Sequence, residues 1–345
     1  MATTTPGLRR PTRRKPASAG QAAQAMLKSP IRRDVVGVVG LGIMGSAMAA
    51  NLVRSGFRVT GYDVLPQSRQ RLRRAGGTAV DDCAAVAREA GIIITSLPSA
   101  DALLNVAGQI ANMRWGLPRR SEAAKAGRPG PAGSGKARLI VIETSTLPIA
   151  VKEEARAILA GRGAILLDCP LSGTDAQART KDLAVYASGD RAAYRRAIPV
   201  LEGFARAHYY VGPFGAGSKM KFAANLLVAI HNVAAAEAMV LAMKAGLDPA
   251  LTLKVLADGG GSSRMLQMRG PMMVKGDYAS DVTMKLDVWR KDMSVITEFA
   301  KAVGVATPLF SATAPIYAAA TAANPMEDTG AVCAVLEALA NYRRK

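Results

Sequence analysis

The chain has 345 residues, half of them apolar and 21% charged, which supports about two domains with buried cores and excludes disorder throughout. Three cysteines, Cys83, Cys169 and Cys333, are too few and too scattered for a disulfide framework or a zinc site, and no apolar secretory signal follows the basic start. The net charge of +19 is localised, with eight cations and no acid in residues 1–33 and seven cations against Glu122 in 114–138, so the globular body is close to balanced.

Residues 1–33, rich in Thr, Pro, Ala and Arg, show no period that buries a face and are expected to form a disordered basic tail. A cytoplasmic protein is the expectation; a tail acting as a mitochondrial transit peptide, with the matrix as destination, is the alternative. From Val35 short apolar runs alternate with helical stretches. VVGVV (35–39), FRVTGY (57–62), GIIITSL (91–97), RLIVIE (138–143), AILLD (164–168) and LAVYAS (183–188) are predicted strands. Such alternation implies a parallel sheet covered on both faces. The Gly/Pro/basic stretch at 114–138 is predicted to be a flexible insertion.

After Val211 the strand signals stop. One long helix is predicted from near Ser218 to Gly246, and more helices follow it. Its apolar run Phe222 to Ala236 is interrupted by Asn225, His231 and Asn232, a poor membrane span. The expected architecture is α/β, with a Rossmann-type parallel-sheet domain at 34–211 and an all-α substrate and dimerisation domain at 212–345.

VVGVVGLGIMGSAMAANLV sets Gly40, Gly42 and Gly45 as G-x-G-x-x-G between a predicted strand and a predicted helix. The first glycine permits a tight turn, the second lets the backbone approach a pyrophosphate, and the third lets helix and strand pack closely. The helix start offers free N–H groups to phosphate, so the loop Gly40, Leu41, Gly42, Ile43, Met44 and Gly45 is a candidate dinucleotide site. Asp63 follows Gly40 by 23 residues, near the spacing expected of a ribose-binding acid. A carboxylate there favours NAD by repelling a 2′-phosphate. Arg58 and Arg69 lie near enough in sequence to keep NADP open.

Lys221 and Asn225 stand at i and i+4 on the long helix and so share a face. An ammonium there can steady alkoxide charge and exchange a proton with a hydroxyl, whereas acting as base near neutrality requires desolvation or a neighbouring cation. Lys219, two residues earlier, points to a different face.

Gly215-Ala-Gly-Ser-Lys-Met-Lys221-Phe-Ala-Ala-Asn225 resembles the G-x-G-x-x-x-K-x-x-x-N signature of the β-hydroxyacid dehydrogenases. GLGIMGSAMAANLVRSG resembles that family's nucleotide loop, and Asp168-Cys-Pro-Leu-Ser172-Gly173 its substrate loop. SLP (96–98) and ETSTLP (143–148) resemble its cofactor-facing strand ends, and Lys291-Asp292 a late lysine pair. The resemblance implies hydride transfer between a nicotinamide cofactor and a small 3-hydroxy acid or its semialdehyde. It implies catalytic roles for Lys221 and Asn225, and a substrate-carboxylate site at Ser172, Gly173 and Thr174. Leu97, Pro98, Thr146 and Lys291 are implied to face the cofactor. Thr174, Gln177 and Lys181 stand where the family often has glycine, so its pocket is expected to differ. A homodimer or homotetramer is implied as well.

His208 and His231 have no evident acidic partner, and no metal-ligand spacing is present, so a His-dependent or metal-dependent mechanism is not expected. Arg264 and Arg269 are suited to pair with a distal substrate group or to sit on a solvated face. Two alternatives remain at this stage: an imine reductase of similar architecture, against which the lysine argues, and a dinucleotide-binding protein using its basic segments on nucleic acid.

Overall fold

The computed structural model describes residues 35–112 and 139–344. The expected basic tail at 1–33 and the basic insertion at 114–138 lie outside the described residues.

Six strands form a parallel array: β1 (Val36–Val39), β2 (Val59–Tyr62), β3 (Thr78–Ala79), β4 (Ile92–Thr95), β5 (Ile140–Glu143) and β6 (Ile165–Asp168). Their spatial order is β3-β2-β1-β4-β5-β6, the Rossmann order, with the reversal between β1 and β4. All four residues of β1 are buried, as a strand covered on both faces requires. Helices α1 (Ile43–Arg54), α2 (Pro66–Arg74), α3 (Cys83–Glu89), α4 (Ala100–Ala111) and α5 (Ile149–Ala160) connect these strands.

The sheet is not parallel throughout. Beyond β6 lie β7 (Leu171–Ser172), β8 (Ala184–Ser188) and β9 (Ala207–Gly212), linked by α6 (Asp175–Arg179) and α7 (Arg191–Phe204). Strand β8 runs antiparallel to both β6 and β7 and parallel to β9. Strand β7 keeps the direction of β6, and the chain then returns through the short helix α6, so β8 pairs antiparallel with both. Apolar clusters fill both faces of the sheet, one around Val38, Met48, Leu52 and Phe204, the other around Ile93, Leu103, Ile110 and Leu159.

Every described element after Gly212 is helical. Helix α8 (Ala216–Lys244) has 29 residues, about 43 Å of axis, and α9 (Pro249–Asp258), α10 (Arg264–Lys275), α11 (Leu286–Ala302), α12 (Pro308–Ala323) and α13 (Val332–Leu339) surround it. Helix α8 is long and apolar enough by length and composition to cross a membrane, contrary to the expectation from its interrupted apolar run. It serves here as the central helix: Phe222, Ala229, Ala236 and Met239 are buried against Trp289, Ile296 and Tyr317 of its neighbours.

Candidate active site

The glycine loop closes the turn from β1 into α1. Gly40 has φ +88°, and a side chain there would stand 2.2 Å from the Ser96 carbonyl oxygen. A Cβ on Gly45 would meet the Gly40 carbonyl oxygen at 1.9 Å, so helix and strand pack at glycine distance. At Gly42 a Cβ would meet nothing within 4 Å. Gly42 is also the N-cap of α1, with no side chain capping the helix, so the first N–H groups face an open cradle. A dinucleotide pyrophosphate fits this arrangement.

Asp63, just past β2, is half-buried, and its Oδ2 accepts from Leu41 N at 2.6 Å while Oδ1 accepts from Leu65 N at 2.8 Å. The carboxylate therefore braces the glycine loop and keeps lone pairs for ribose hydroxyls. Arg69 donates to the Asp63 carbonyl oxygen at 2.6 Å and lies over the Tyr62 ring, while Arg58 is exposed at the start of β2. Leu41 buries its side chain in the core, whereas Ile43 is exposed beside the cradle and Met44 is half-buried.

At the switch point the ends of β4 and β5 are tied together. Leu97 N donates to Ser145 Oγ at 2.8 Å, and Ser145 N donates to Glu143 Oε1 at 2.8 Å. Glu143 is fully buried and also accepts from Thr95 Oγ1. Leu97 and Thr146 are half-buried and Pro98 is exposed, all at the C-terminal ends of the strands, where open α/β sheets bind their ligands.

Helix α8 carries Lys221 and Asn225 on one face. Asn225 Nδ2 donates to Asp292 Oδ2 at 3.0 Å, and Lys291 Nζ stands 3.6 Å from Asp292 Oδ1. The structure thus gathers Lys221, Asn225 and Lys291 around one buried carboxylate. Burial pulls the Lys221 pKa below the ordinary lysine value; Asp292 opposes that shift and Lys291 adds to it. Burial pushes Asp292 upward, against Lys291, Lys221 and the Asn225 amide. Asp292 was not singled out from sequence, although the Lys291-Asp292 pair held the signal. Lys219 is exposed on another face of the helix.

The substrate-loop residues Ser172 and Gly173 are half-buried, and Gly173 has φ +140°. Thr174 is the N-cap of α6, and its side chain and that of Gln177 form a capping box. Lys181 sits at φ +63°, a left-handed conformation that explains why glycine suits this position.

Arg269 is not a substrate contact. It is buried in the helical part, with Nε donating to Asp328 Oδ1 at 2.9 Å. Arg264 is exposed at the start of α10, and Asp182, held below the ordinary carboxylate range by Gln177 and Arg206, also feels its charge. His208 does have neighbours, contrary to expectation: Nδ1 is 2.7 Å from the Tyr194 hydroxyl and Nε2 is 3.8 Å from Glu202 Oε1. All three lie on α7 and β9.

A Rossmann sheet with an open glycine cradle, a carboxylate bracing that loop from the end of β2 and a desolvated lysine on a following helix is the arrangement of a dinucleotide-dependent oxidoreductase. Residues 35–212 match the NAD-binding domain of 6-phosphogluconate dehydrogenase, and 215–336 match the NAD-binding model of NADP-dependent 3-hydroxyisobutyrate dehydrogenase. The chain belongs to the β-hydroxyacid dehydrogenase family and is an NAD(P)-dependent enzyme. It is 32% identical to the L-threonate dehydrogenase of Cupriavidus necator over 86% of this chain and 94% of that protein. It is 30% identical to the 3-hydroxyisobutyrate dehydrogenase of Pseudomonas aeruginosa over 79% of this chain and 88% of that one. Among solved structures, the 3-hydroxyisobutyrate dehydrogenase of Salmonella typhimurium superposes with a TM-score of 0.72 at 29% identity, covering 88% and 99% of the two chains.

Proposed function

We propose that this enzyme oxidises a small 3-hydroxy acid of the three- or four-carbon class with NAD, Lys221 handling the hydroxyl proton. The observation that carries the reading is the desolvated Lys221 on the same helix face as Asn225, beside Asp292. Bound NAD(P) supplies the two-electron hydride acceptor. Lys221, whose pKa burial draws below the ordinary lysine value, takes the hydroxyl proton in its amine form as the carbinol C–H bond gives up its hydride and the carbonyl forms. In the reverse direction the ammonium returns that proton to the oxygen. Asn225 commits its amide N–H to Asp292, which leaves its Oδ1 to orient the Lys221 ammonium or the substrate hydroxyl. In this reading Ser172 and the Gly173 backbone hold the substrate carboxylate.

A panel of C3 and C4 hydroxy acids and their semialdehydes, followed by NADH absorbance, tests the substrate class, and turnover of none of them refutes it. Lys221→Ala should lose on the order of 10²–10⁴-fold in kcat. Cofactor affinity should hold, since the glycine loop and Asp63 are untouched; a Lys221→Ala enzyme turning over near the native rate rules the assignment out. NAD(H) is expected to bind more tightly than NADP(H), because a carboxylate at Asp63 would repel a 2′-phosphate; titration with both cofactors decides it. We also propose that the protein is a homodimer or homotetramer, supported by the exposed apolar face of α8 and α9.

A further inference from the structure

The strand ends hold a buried polar chain that neither the glycine loop nor the Lys221 cluster explains. Lys152, on α5, is fully buried, and its Nζ donates to Asp168 Oδ1 at 2.8 Å and to the Ser145 carbonyl oxygen at 2.6 Å. Asp168, the last residue of β6, is fully buried as well. Its Oδ1 accepts from Ser218 Oγ at 2.8 Å; its Oδ2 accepts from Ser218 N at 2.8 Å and from Ser188 Oγ at 3.2 Å. Ser188 Oγ in turn accepts from Gly217 N at 2.9 Å.

Gly217 and Ser218 belong to the first turn of α8. The N-cap of that helix is Gly215, which has no side chain to give, so two of its orphan N–H groups are satisfied from β6 and β8 instead. The seat is close: a Cβ on Gly217 would stand 2.3 Å from the Tyr186 carbonyl oxygen and 2.7 Å from that of Asp168. At the other end, Ser145 Oγ holds Leu97 N. Hydrogen bonds thus run unbroken from the cofactor-facing turn at Leu97, through Ser145, Lys152 and Asp168, to the first turn of α8. Lys221 lies three residues further on, about 4.5 Å along the axis.

A buried ion pair is weak evidence for stability, because well-packed apolar residues of similar volume commonly do as well. What this pair adds is a fixed position for two oxygens. We propose that Lys152 is a positioning residue: it holds Asp168 in place, and Asp168 sets where α8 starts and therefore where Lys221 stands relative to the cofactor-facing turns. The proposal rests on Lys221 being the proton-handling group.

The test compares Lys152→Met, Lys152→Met/Asp168→Asn and Lys221→Ala in the full-length protein. The single variant leaves a buried unpaired carboxylate and risks unfolding. The double variant carries no buried charge at this site, yet it offers Ser218 one acceptor oxygen where Asp168 offered two. It should fold and bind NADH with near-native affinity while kcat falls about 10–100-fold, as a misplacement near 1 Å produces. Amide exchange across residues 215–222 should quicken without any ligand present. The pKa read from the pH dependence of alcohol oxidation should move up toward the ordinary lysine value, as the helix start loosens and Lys221 gains water. Native kcat, native exchange and a native pH profile in the folded double variant, beside an inactive Lys221→Ala, overturn the proposal while leaving the Lys221 reading intact. An active Lys221→Ala enzyme overturns both.

Discussion

Lys221 feels two neighbours that act on it in opposite directions. Burial lowers its pKa; the Asp292 carboxylate raises it and the Lys291 ammonium lowers it further. Replacing Asp292 by Asn removes the raising influence, so Lys221 should lose its proton at lower pH. With Lys221 in the proposed role, alcohol oxidation needs the neutral amine, and its pH profile should shift toward acid. Lys291→Met removes a lowering influence and should shift the same profile toward alkali. Measuring kcat against pH for both variants gives shifts of opposite sign; shifts of the same sign would show that another group titrates. The spacing of Lys221 and Asn225, and the Lys291-Asp292 pair, were legible in the sequence because helical periodicity and short motifs are local. The role of Asp292 was not, since it depends on a hydrogen bond across 67 positions to Asn225. Lys152 was hidden for the same reason: on its helix it reads as a solvated cation, and its burial shows only when β6 is set beside α5.

At the scale of elements, the glycine loop separates fold from function within six residues. Gly42 has φ −64°, which any residue adopts, and a Cβ there enters open space. Gly42→Ala should therefore leave thermal stability within about 0.5 kcal/mol of native, as surface substitutions usually do. The methyl group would occupy the pyrophosphate cradle, and NAD affinity should drop at least tenfold, about 1.4 kcal/mol. Gly45→Ala is the reverse case. Its Cβ collides with the Gly40 carbonyl oxygen, so stability should fall by more than about 2 kcal/mol before any question of binding arises. Calorimetry beside cofactor titration distinguishes the two, and equal melting temperatures for both variants would contradict this division of labour. The six long strand runs were readable because each spans at least four residues of largely apolar or β-branched character between turn signals. The two-residue strands β3 and β7 carry no period to read. The antiparallel edge escaped notice because strand direction follows from the length of a connection, and the one after Asp168 contains a two-residue strand with no signal of its own.

For the whole molecule, the helical part has more apolar surface than its own core covers. A helix apolar on all sides needs burial on all sides. Helix α8 buries Phe222, Ala229, Ala236 and Met239 against its neighbours, yet Leu227 and Leu241 remain exposed on its outer side, Leu241 at 74%. Helix α9 packs on α8 and buries Thr252 alone, while Leu251 at 60% and Val255 at 61% face outward, with Leu247 in the turn between the helices. Several exposed large apolar side chains on two packed helices point to an interaction site. A second copy of the same chain is the simplest occupant, because a two-fold axis lets one apolar helix face bury its own equivalent. The native protein should then scatter light as a multiple of its 36.0 kDa chain. Leu241→Glu/Leu251→Glu, which places carboxylates where the partner's apolar face would lie, should move the mass toward 36.0 kDa. Neither residue belongs to the core around Trp289 and Tyr317, so the variant should keep its fold, and NADH titration should remain near native because the glycine loop is on the sheet. A native protein that already scatters as a single chain refutes the assembly. A charged double variant that still scatters as a multimer places the interface on another surface.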